Sequence, residues 1–340
     1  MRSVGMTRTG RGLSTAALLL ALGNSAAAQT PDLEGTLVVV NKGASTVSIV
    51  DVSSARELAV LPTGTGPHEV ALSSDGRIAV ITDYGARQPG SSLTVVDVEE
   101  LDVIRTIDLG AHERPHGIAF LPGDEKVVVT SEATRAVIVV DVEDGTVEGA
   151  LPTAQAGSHM LALPAPAERV WTSNVPDGTV SEIDVGTGQT TRVIDVPAQP
   201  EAIGITPDGV EVWVGSNEHG TVSVVDAADG SVSQALDGFG WPYRVLITPD
   251  GSTALIPDLE GDELRIVDRA SRTVRHRIPL SGGAPQGVAV TPDGRIAFQS
   301  LSDQARVIII DVETGEVMSY LPTGQGPDGV AYSPIVVDQD

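Results

Sequence analysis

The sequence predicts an all-β fold, a seven-bladed β-propeller with four antiparallel strands per blade. One observation is a recurring phrase: a proline, once a serine, then a polar residue, a variable residue and a branched apolar residue. Its copies are separated by 48, 43, 42, 42, 43 and 42 residues. A second is a β-branched run ending in aspartate, which recurs seven times at nearly the same period. Third, 37 glycines and 22 prolines punctuate short Val/Ile runs, as turns do between strands. The phrases begin at Pro67, Pro115, Ser158, Pro200, Pro242, Pro285 and Pro327, and the aspartates are Asp51, Asp97, Asp141, Asp184, Asp226, Asp268 and Asp311.

Each unit contains, in order, an apolar strand, a tight turn, a second strand, the strand that ends in aspartate, and a fourth strand. The turn is Pro-Asp-Gly in three units, as at 207–209, a sequence that favours a β-turn. The last three strands of a unit lie at 36–62, and a lone first strand lies at 327–334. We therefore predict that these two segments share one blade and close the ring, which removes exposed sheet edges. Because the aspartates recur in every unit, we expect them to accept backbone N–H groups in turns.

The first 28 residues have the pattern of a secretory signal peptide. Three arginines and no acids precede or flank an apolar run at 13–22, and small residues lead to Ala28 before Gln29. This pattern predicts cleavage near Ala28/Gln29 and a periplasmic or extracellular protein. Residues 29–340 are expected to form a single propeller domain. No apolar run approaches the roughly 20 residues of a membrane span, and exposed outer strands favour a monomer.

Composition removes several classes of function. The chain has 21 Lys+Arg against 46 Asp+Glu and a net charge of −25, so it repels phosphate backbones and nucleic-acid binding is not expected. The absence of cysteine excludes disulfides, thiolate metal sites, iron–sulfur clusters and a cysteine nucleophile. The hydrolase motifs Gly-x-Ser-x-Gly and His-Glu-x-x-His are absent as well. One cluster opposes the global charge, and we interpret it as a solvated outer strand edge, with docking to an acidic partner as the alternative. It consists of Arg265, Arg269, Arg272, Arg275 and Arg277.

A further recurring phrase follows the tight turns. Its copies are Val80-Ile-Thr-Asp83, Val128-Val-Thr-Ser131, Val170-Trp-Thr-Ser-Asn174 and Val212-Trp-Val-Gly-Ser-Asn217. Together with strands such as Thr221-Val-Ser-Val-Val-Asp226, these phrases resemble the YVTN-type, YncE-like seven-bladed propeller family over nearly all of residues 29–340. The resemblance implies the propeller fold. It also implies a scaffold that binding proteins, surface proteins and some enzymes share, so it does not assign a ligand.

The residue after the first position of each phrase differs between units but is always capable of polar contacts. In a propeller it begins the innermost strand, near the mouth of the central channel. The seven residues are His68, His116, His159, Glu201, Tyr243, Gln286 and Asp328. We expect the three histidines, from successive blades, to converge as candidate ligands for Zn or Cu. The alternative is that each histidine caps its own strand or contacts water. The other four residues are candidate ligand contacts, with Glu201 and Asp328 as oxygen donors.

Four more candidate ligand-binding residues are predicted on the same face. Glu69 and Arg244 occupy a position where several units have glycine or alanine. Trp241 leads into the mouth beside Tyr243, and Tyr84 lies in a connection four residues longer than in the other units. Aromatic walls with a cation around a funnel are typical of a small-ligand site. The alternative is that the aromatic side chains only fill gaps between blades.

Three functions remain open at this stage. The first is an exported, non-catalytic binding protein that takes a small molecule or a protein at its funnel face. The second is a lyase-like or lactonase-like enzyme, or a redox protein, with Zn or Cu at His68, His116 and His159. There, His112 or His219 is the candidate acid or base. The third is a haem d1-type propeller with one of these histidines as axial ligand. No cofactor is certain from the sequence.

Overall fold

The computed structural model describes residues 33–164 and 167–337, and the predicted signal peptide lies outside these ranges. The described chain forms 28 strands in seven four-stranded antiparallel sheets, with one 3-10 turn at Ser302–Gln304. Each sheet is one blade, so the predicted seven-bladed propeller is confirmed. Across the described ranges, the chain has no helix with the length and apolar character needed to cross a bilayer.

The strands follow one another with short turns between them. The first fifteen are β1 (Thr36–Asn41), β2 (Thr46–Asp51), β3 (Arg56–Pro62), β4 (Pro67–Leu72), β5 (Ile78–Gly85), β6 (Pro89–Asp97), β7 (Asp102–Asp108), β8 (Pro115–Phe120), β9 (Lys126–Ser131), β10 (Ala136–Asp141), β11 (Thr146–Pro152), β12 (Ser158–Ala162), β13 (Arg169–Asn174), β14 (Thr179–Asp184) and β15 (Gln189–Asp195). The others are β16 (Pro200–Ile205), β17 (Glu211–Ser216), β18 (Thr221–Asp226), β19 (Val232–Leu236), β20 (Leu246–Ile247), β21 (Thr253–Asp258), β22 (Glu263–Asp268), β23 (Thr273–Pro279), β24 (Pro285–Val290), β25 (Ile296–Leu301), β26 (Arg306–Asp311), β27 (Val317–Pro322) and β28 (Pro327–Ser333).

Blades one to six each use four consecutive strands, from β4–β7 to β24–β27, with the first strand innermost. Blade seven has the order β28, β1, β2, β3, and its register pairs Thr36 with Ser333. The predicted closure of the ring by the two chain ends is therefore confirmed.

The hydrophobic core lies between neighbouring blades. The middle strands of each blade are buried on both faces, whereas the outermost strand alternates buried and exposed residues, as in β15. One apolar cluster, for example, joins Val80 and Leu93 of blade one to Val129 and Ile138 of blade two. Because every blade packs against two others, the innermost strands are held rigidly around the channel.

The recurring aspartates stabilise turns, as predicted. Each of the seven accepts at least one backbone N–H in the turn after the third strand. Asp184 Oδ1, for instance, accepts from the backbone N–H of Thr187 at 2.7 Å. The backbone N–H groups of these tight turns would otherwise have no acceptor within the turn. The carboxylates therefore stabilise the individual blades and do not form a shared site.

The interpretation of the arginine cluster as a solvated edge is wrong for Arg265. This side chain is only 2% exposed, and its Nε donates to Glu263 at 2.6 Å. Its guanidinium lies 3.6 Å from the centroid of the Phe239 ring and donates to the carbonyl oxygen of Asp237 at 2.8 Å. Arg265 therefore holds the loop that leads into the innermost part of blade five. In that blade the innermost strand is reduced to β20, while Pro242 is joined to the blade by an isolated bridge.

Asp83 links blade one to the preceding connection. Its carboxylate accepts from the backbone N–H of Gly64 at 3.0 Å and from the hydroxyls of Ser92 and Thr94 at 2.7 and 3.1 Å. Burial raises the pKa of Asp83 to about 6, because these donors offset only part of the penalty for burying the charge. The folded pKa exceeds that of an unfolded aspartate. The stability that Asp83 contributes to the fold is therefore fully present below about pH 4 and is lost as the pH rises through about 6.

The repeats offer a substitution that tests this carboxylate. The equivalent residues of two other blades are Asn41 and Asn174, and the Asn174 amide donates to the hydroxyls of Thr179 and Ser181 at 3.1 and 2.9 Å. We expect Asp83→Asn to raise the free energy of unfolding at pH 8 by about 1–3 kcal/mol, because no charge is then buried. Urea denaturation of both proteins at pH 4 and pH 8 measures the difference. A variant that is no more stable than wild type at pH 8 would contradict the prediction.

Candidate functional site

The innermost strands bring the three predicted histidines into one stack at the channel mouth. His68 begins on β4, His116 on β8 and His159 on β12, one residue after the start of each strand. The ring centroids of His68 and His116 are 4.0 Å apart, and those of His116 and His159 are 3.7 Å apart. The Tyr84 ring packs edge-on against His68 and His116, at 5.4 and 5.3 Å. Tyr84 lies within β5 and not in a loop, because the hairpin continues to Gly85.

His116 lies at the centre of this stack and is completely buried. Neither its Nδ1 nor its Nε2 has a hydrogen-bond partner among the described residues. Burial, reinforced by neighbouring positive groups, holds the pKa of His116 well below its usual value, so the ring is neutral at pH 7. A neutral imidazole offers one donor and one acceptor, and each buried group left unpaired costs about 1–3 kcal/mol.

His68 differs because both of its ring nitrogens have partners. Nε2 lies 2.6 Å from Lys42 Nζ, while Nδ1 lies 3.2 Å from Glu69 Oε1 and 3.2 Å from Asp328 Oδ2. An ammonium group can only donate, so Nε2 accepts and Nδ1 carries the proton that faces the carboxylates. Burial lowers the pKa of His68 to about 3 although Asp328 opposes the shift. This ring is therefore neutral as well.

His159 is a cation held between two carboxylates. Its Nδ1 lies 2.5 Å from Glu132 Oε1, and its Nε2 lies 3.6 Å from Glu201 Oε1. Burial alone would lower the pKa of His159, but these two carboxylates outweigh it and raise the pKa to about 9. Despite its own burial, Glu201 has its pKa lowered to about 2, chiefly by the neighbouring His159 imidazolium. At pH 7 the stack therefore contains two neutral rings and one imidazolium.

An ion pair between blades one and five lies one residue further along the innermost strands than the residues of the mouth. An Arg244 guanidinium nitrogen contacts Glu69 Oε1, and the guanidinium lies 4.1 Å from the Tyr243 ring centroid. Three other blades have glycine at this position, where strands approach closely: a Cβ on Gly329 would lie 2.5 Å from the carbonyl oxygen of His68. Burial opposes the charge of Arg244, but Glu69 and its neighbours outweigh burial and raise the pKa of Arg244. Beyond the pair lies a cavity of about 310 Å³.

The remaining predicted ligand contacts also lie at the mouth. Trp241 Nε1 donates to Glu201 Oε2 at 3.1 Å, and the Tyr243 hydroxyl donates to the Asp328 carboxylate at 3.4 Å. Gln286 Oε1 is buried, and no donor reaches it within the part of the chain that the structure describes. These side chains therefore surround the histidine stack as a ring of polar groups from different blades.

The two candidate acid–base histidines make other contacts. His112 Nδ1 lies 2.9 Å from the Thr134 hydroxyl, and His219 Nδ1 lies 3.2 Å from the Ser216 hydroxyl. Both partners belong to the ends of second strands or to the turns that follow them. The structure thus does not bring either ring into the stack of His68, His116 and His159.

Three residues of the mouth were missed by the sequence analysis, namely Lys42, Glu132 and Asn217. Lys42 contacts His68, Glu132 contacts His159, and the Asn217 amide donates to Glu201. All three directly follow the last paired residue of a second strand, and the equivalent residue of blade one is Tyr84, where the strand pairing continues to Gly85. A comparison of the seven units at the position after the second strand would have found these residues, because the residue there varies between blades, as the residue at the histidine position does.

One group of side chains in the described chain has the geometry to hold a metal ion. It consists of His68, Glu69 and His116, which each offer a ligand atom within 4.8 Å of the others. Glu69 thus occupies the place that the sequence analysis assigned to His159, whose nitrogens both face carboxylates. Around these residues lie three cations, Lys42, His159 and Arg244, and four carboxylates, those of Glu69, Glu132, Glu201 and Asp328. Arg114 adds a fourth cation, with its guanidinium 4.7 Å from the centroid of the Tyr84 ring, so the cations and carboxylates of the mouth are equal in number.

Comparisons with known proteins show the fold. No family model and no curated protein matches the chain. A similar solved structure is hydrazine synthase of Kuenenia stuttgartiensis, with a TM-score of 0.66, 21% identity, and coverage of 79% of this chain and 90% of that chain. A functionally unknown protein from Desulfotomaculum acetoxidans has a TM-score of 0.72, 15% identity, and coverage of 89% and 100%. The dihydro-heme d1 dehydrogenase NirN, solved in complex with DHE, has a TM-score of 0.66, 16% identity, and coverage of 90% and 76%. These likenesses establish a propeller and leave membership of the YVTN-type family a prediction.

Proposed function

We propose that this protein is an exported, non-catalytic propeller that binds a small cation at its channel mouth. The observation that carries the proposal is His116, a wholly buried neutral imidazole whose two nitrogens have no hydrogen-bond partner among residues 33–164 and 167–337, inside a ring of side chains that are otherwise mostly paired. Buried polar groups in folded proteins nearly always have partners, and an exception commonly marks a ligand or ion. Export rests on the signal-peptide pattern of residues 1–28.

Charge supports a cation over an anion. Three of the cations at the mouth, Lys42, His159 and Arg244, already face carboxylates. The chain as a whole carries −25, which raises the local concentration of cations and repels anions. Nucleic acid is disfavoured by the same field.

The contacts of the candidate acid–base residues favour ligand binding over catalysis. The candidate acid–base residues His112 and His219 contact Thr134 and Ser216 and not the mouth histidines. The haem d1-type alternative draws on NirN, and that likeness concerns the fold alone. We therefore place the function in the mouth and assign it to ligand binding.

The test is thermal unfolding of the full chain with salts of matched ionic strength. The cation probes are tetramethylammonium, 1,4-diaminobutane and Zn²⁺ as chlorides, and the anion probes are sodium acetate and sodium sulfate. We expect at least one cation to raise the Tm by about 5 °C at 100 times its Kd, and the anions to have no such effect. His116→Leu is expected to remove the shift, although its ligand-free Tm should equal or exceed that of wild type.

His276→Gln is the matched control, because His276 lies on the outer strand β23 and contacts the Glu313 carbonyl. It should keep the full shift. A shift produced only by the anions, or a cation shift unchanged in His116→Leu, would show that the mouth is not a cation site.

A further inference from the structure

We propose that the bound cation is a divalent transition metal, Zn²⁺ or Cu²⁺, held by His68, Glu69 and His116. This inference rests on the proposed function and names the ligand of that site. The three donors come from β4 and β8, adjacent innermost strands whose positions are held by packing between blades. Two imidazoles and one carboxylate are a donor set that zinc and copper accept, and three protein ligands leave a fourth position for water.

The partners of His68 match the surroundings of a metal-bound imidazole. Its Nδ1 lies 3.2 Å from Asp328 Oδ2, which accepts its proton when Glu69, also at 3.2 Å, turns to the metal, so Nε2 is the nitrogen left to bind a cation. Metal-binding histidines commonly donate their second N–H to a carboxylate, which fixes the tautomer and the ring orientation. Here Asp328 supplies that contact from blade seven. Arg244 in turn orients Glu69.

A cation already occupies the position next to that nitrogen. The Lys42 ammonium lies 2.6 Å from His68 Nε2 and 3.4 Å from Asp328 Oδ2. The Lys42 side chain is 38% exposed, so it can move into solvent without breaking the core. Metal binding and the Lys42 contact are therefore mutually exclusive. Removal of the ammonium by Lys42→Met should strengthen metal binding, an effect that a purely structural role of Lys42 would not produce.

His159 is excluded from the ligand set by its own contacts. Both of its nitrogens face carboxylates, Glu132 at 2.5 Å and Glu201 at 3.6 Å. Its ring lies 3.7 Å from that of His116 and so fixes the plane of His116 from one side. We assign His159 to positioning, which separates this site from one made of three histidines.

The experiment is isothermal titration calorimetry of the full chain, stripped with EDTA, with ZnCl₂ as probe and MgCl₂ as a hard-cation control. Wild type should bind one Zn²⁺ per chain and no Mg²⁺, because magnesium prefers oxygen ligands. His116→Leu and His116→Gln should each weaken zinc binding at least about 100-fold, since each removes a ligand. Lys42→Met should bind zinc about tenfold more tightly, because a competing charge is gone. His276→Gln should match wild type.

Near-UV circular dichroism and the Tm show whether each variant has folded. Two substitutions of His116 are used so that the test can still be made if one of the two variants fails to fold. Zinc binding unchanged in a folded His116 variant, or weakened by Lys42→Met, would overturn the assigned ligands. If wild type binds no zinc and, in the same titration with CuCl₂, no copper, but an organic cation still raises its Tm, the metal site fails and the proposed cation binding stands. If no cation binds, both fail.

Discussion

Replacing Arg244 with methionine is expected to lower the free energy of unfolding by about 3–5 kcal/mol, because the Glu69 carboxylate then stays buried without its cation. Both side chains are nearly enclosed, with 7% and 13% of their surfaces exposed. The pair also joins blades one and five across the channel, so its loss removes a contact between distant parts of the ring. Urea denaturation at pH 7 measures the effect.

The double variant Glu69→Gln/Arg244→Met is the control for this prediction. It removes both charges together, so it should recover most of the stability that Arg244→Met loses. If the single and double variants are equally unstable, the loss comes from packing and not from the uncompensated carboxylate. Glu69 is one of the proposed metal ligands, so all three proteins are compared in EDTA.

Arg265→Met is expected to lower the free energy of unfolding by about 3–4 kcal/mol, because it leaves the buried Asp258 carboxylate with backbone N–H donors but no cation and removes two bonds to the loop carbonyls of Asp237 and Gly238. The same loop carries Trp241, whose indole donates to Glu201 at the mouth. We therefore expect the variant to show altered tryptophan fluorescence as well as lower stability in urea.

Arg277 offers a matched control on the same carboxylate. Its guanidinium contacts Glu263 at 2.6 Å, as that of Arg265 does, but its side chain is 52% exposed. Water screens that pair, so Arg277→Met should change the stability by less than about 0.5 kcal/mol. Equal losses in the two variants would contradict the assignment of Arg265 to the interior. Arg265→Lys should not restore the stability, because an ammonium cannot replace the planar fork that reaches four acceptors.

The fold could be predicted because each blade repeats the same local sequence pattern. Strand-length runs of branched residues, turns of the Pro207-Asp208-Gly209 type and the aspartate after each third strand recur with one period. The unequal ends of the repeat array also indicated how the ring closes, as the pairing of Thr36 with Ser333 confirms. Strand pairing and turn formation depend mainly on residues near in sequence, so a single chain contains enough information about them.

The position of the site could be predicted as well, but its chemistry could not. The place of His68, His116 and His159 in the repeat put them at the channel mouth, where the structure stacks them. The sequence does not show that His159 is an imidazolium between Glu132 and Glu201, while the nitrogens of His116 find no hydrogen-bond partner in the described part of the chain.

The physical reason is that charge state and pairing depend on burial and on neighbours from other blades. Lys42 and Asp328 are 286 residues apart, and Glu69 and Arg244 are 175 apart, yet each pair meets at the mouth. Arg265 shows the same limit. Its charge favoured an exposed strand edge, whereas in the structure its guanidinium packs against the Phe239 ring in the interior. The sequence by itself determined seven blades, their closure and a polar mouth. Only the tertiary structure decided which of those polar groups neutralise one another and which imidazole is left to bind a ligand.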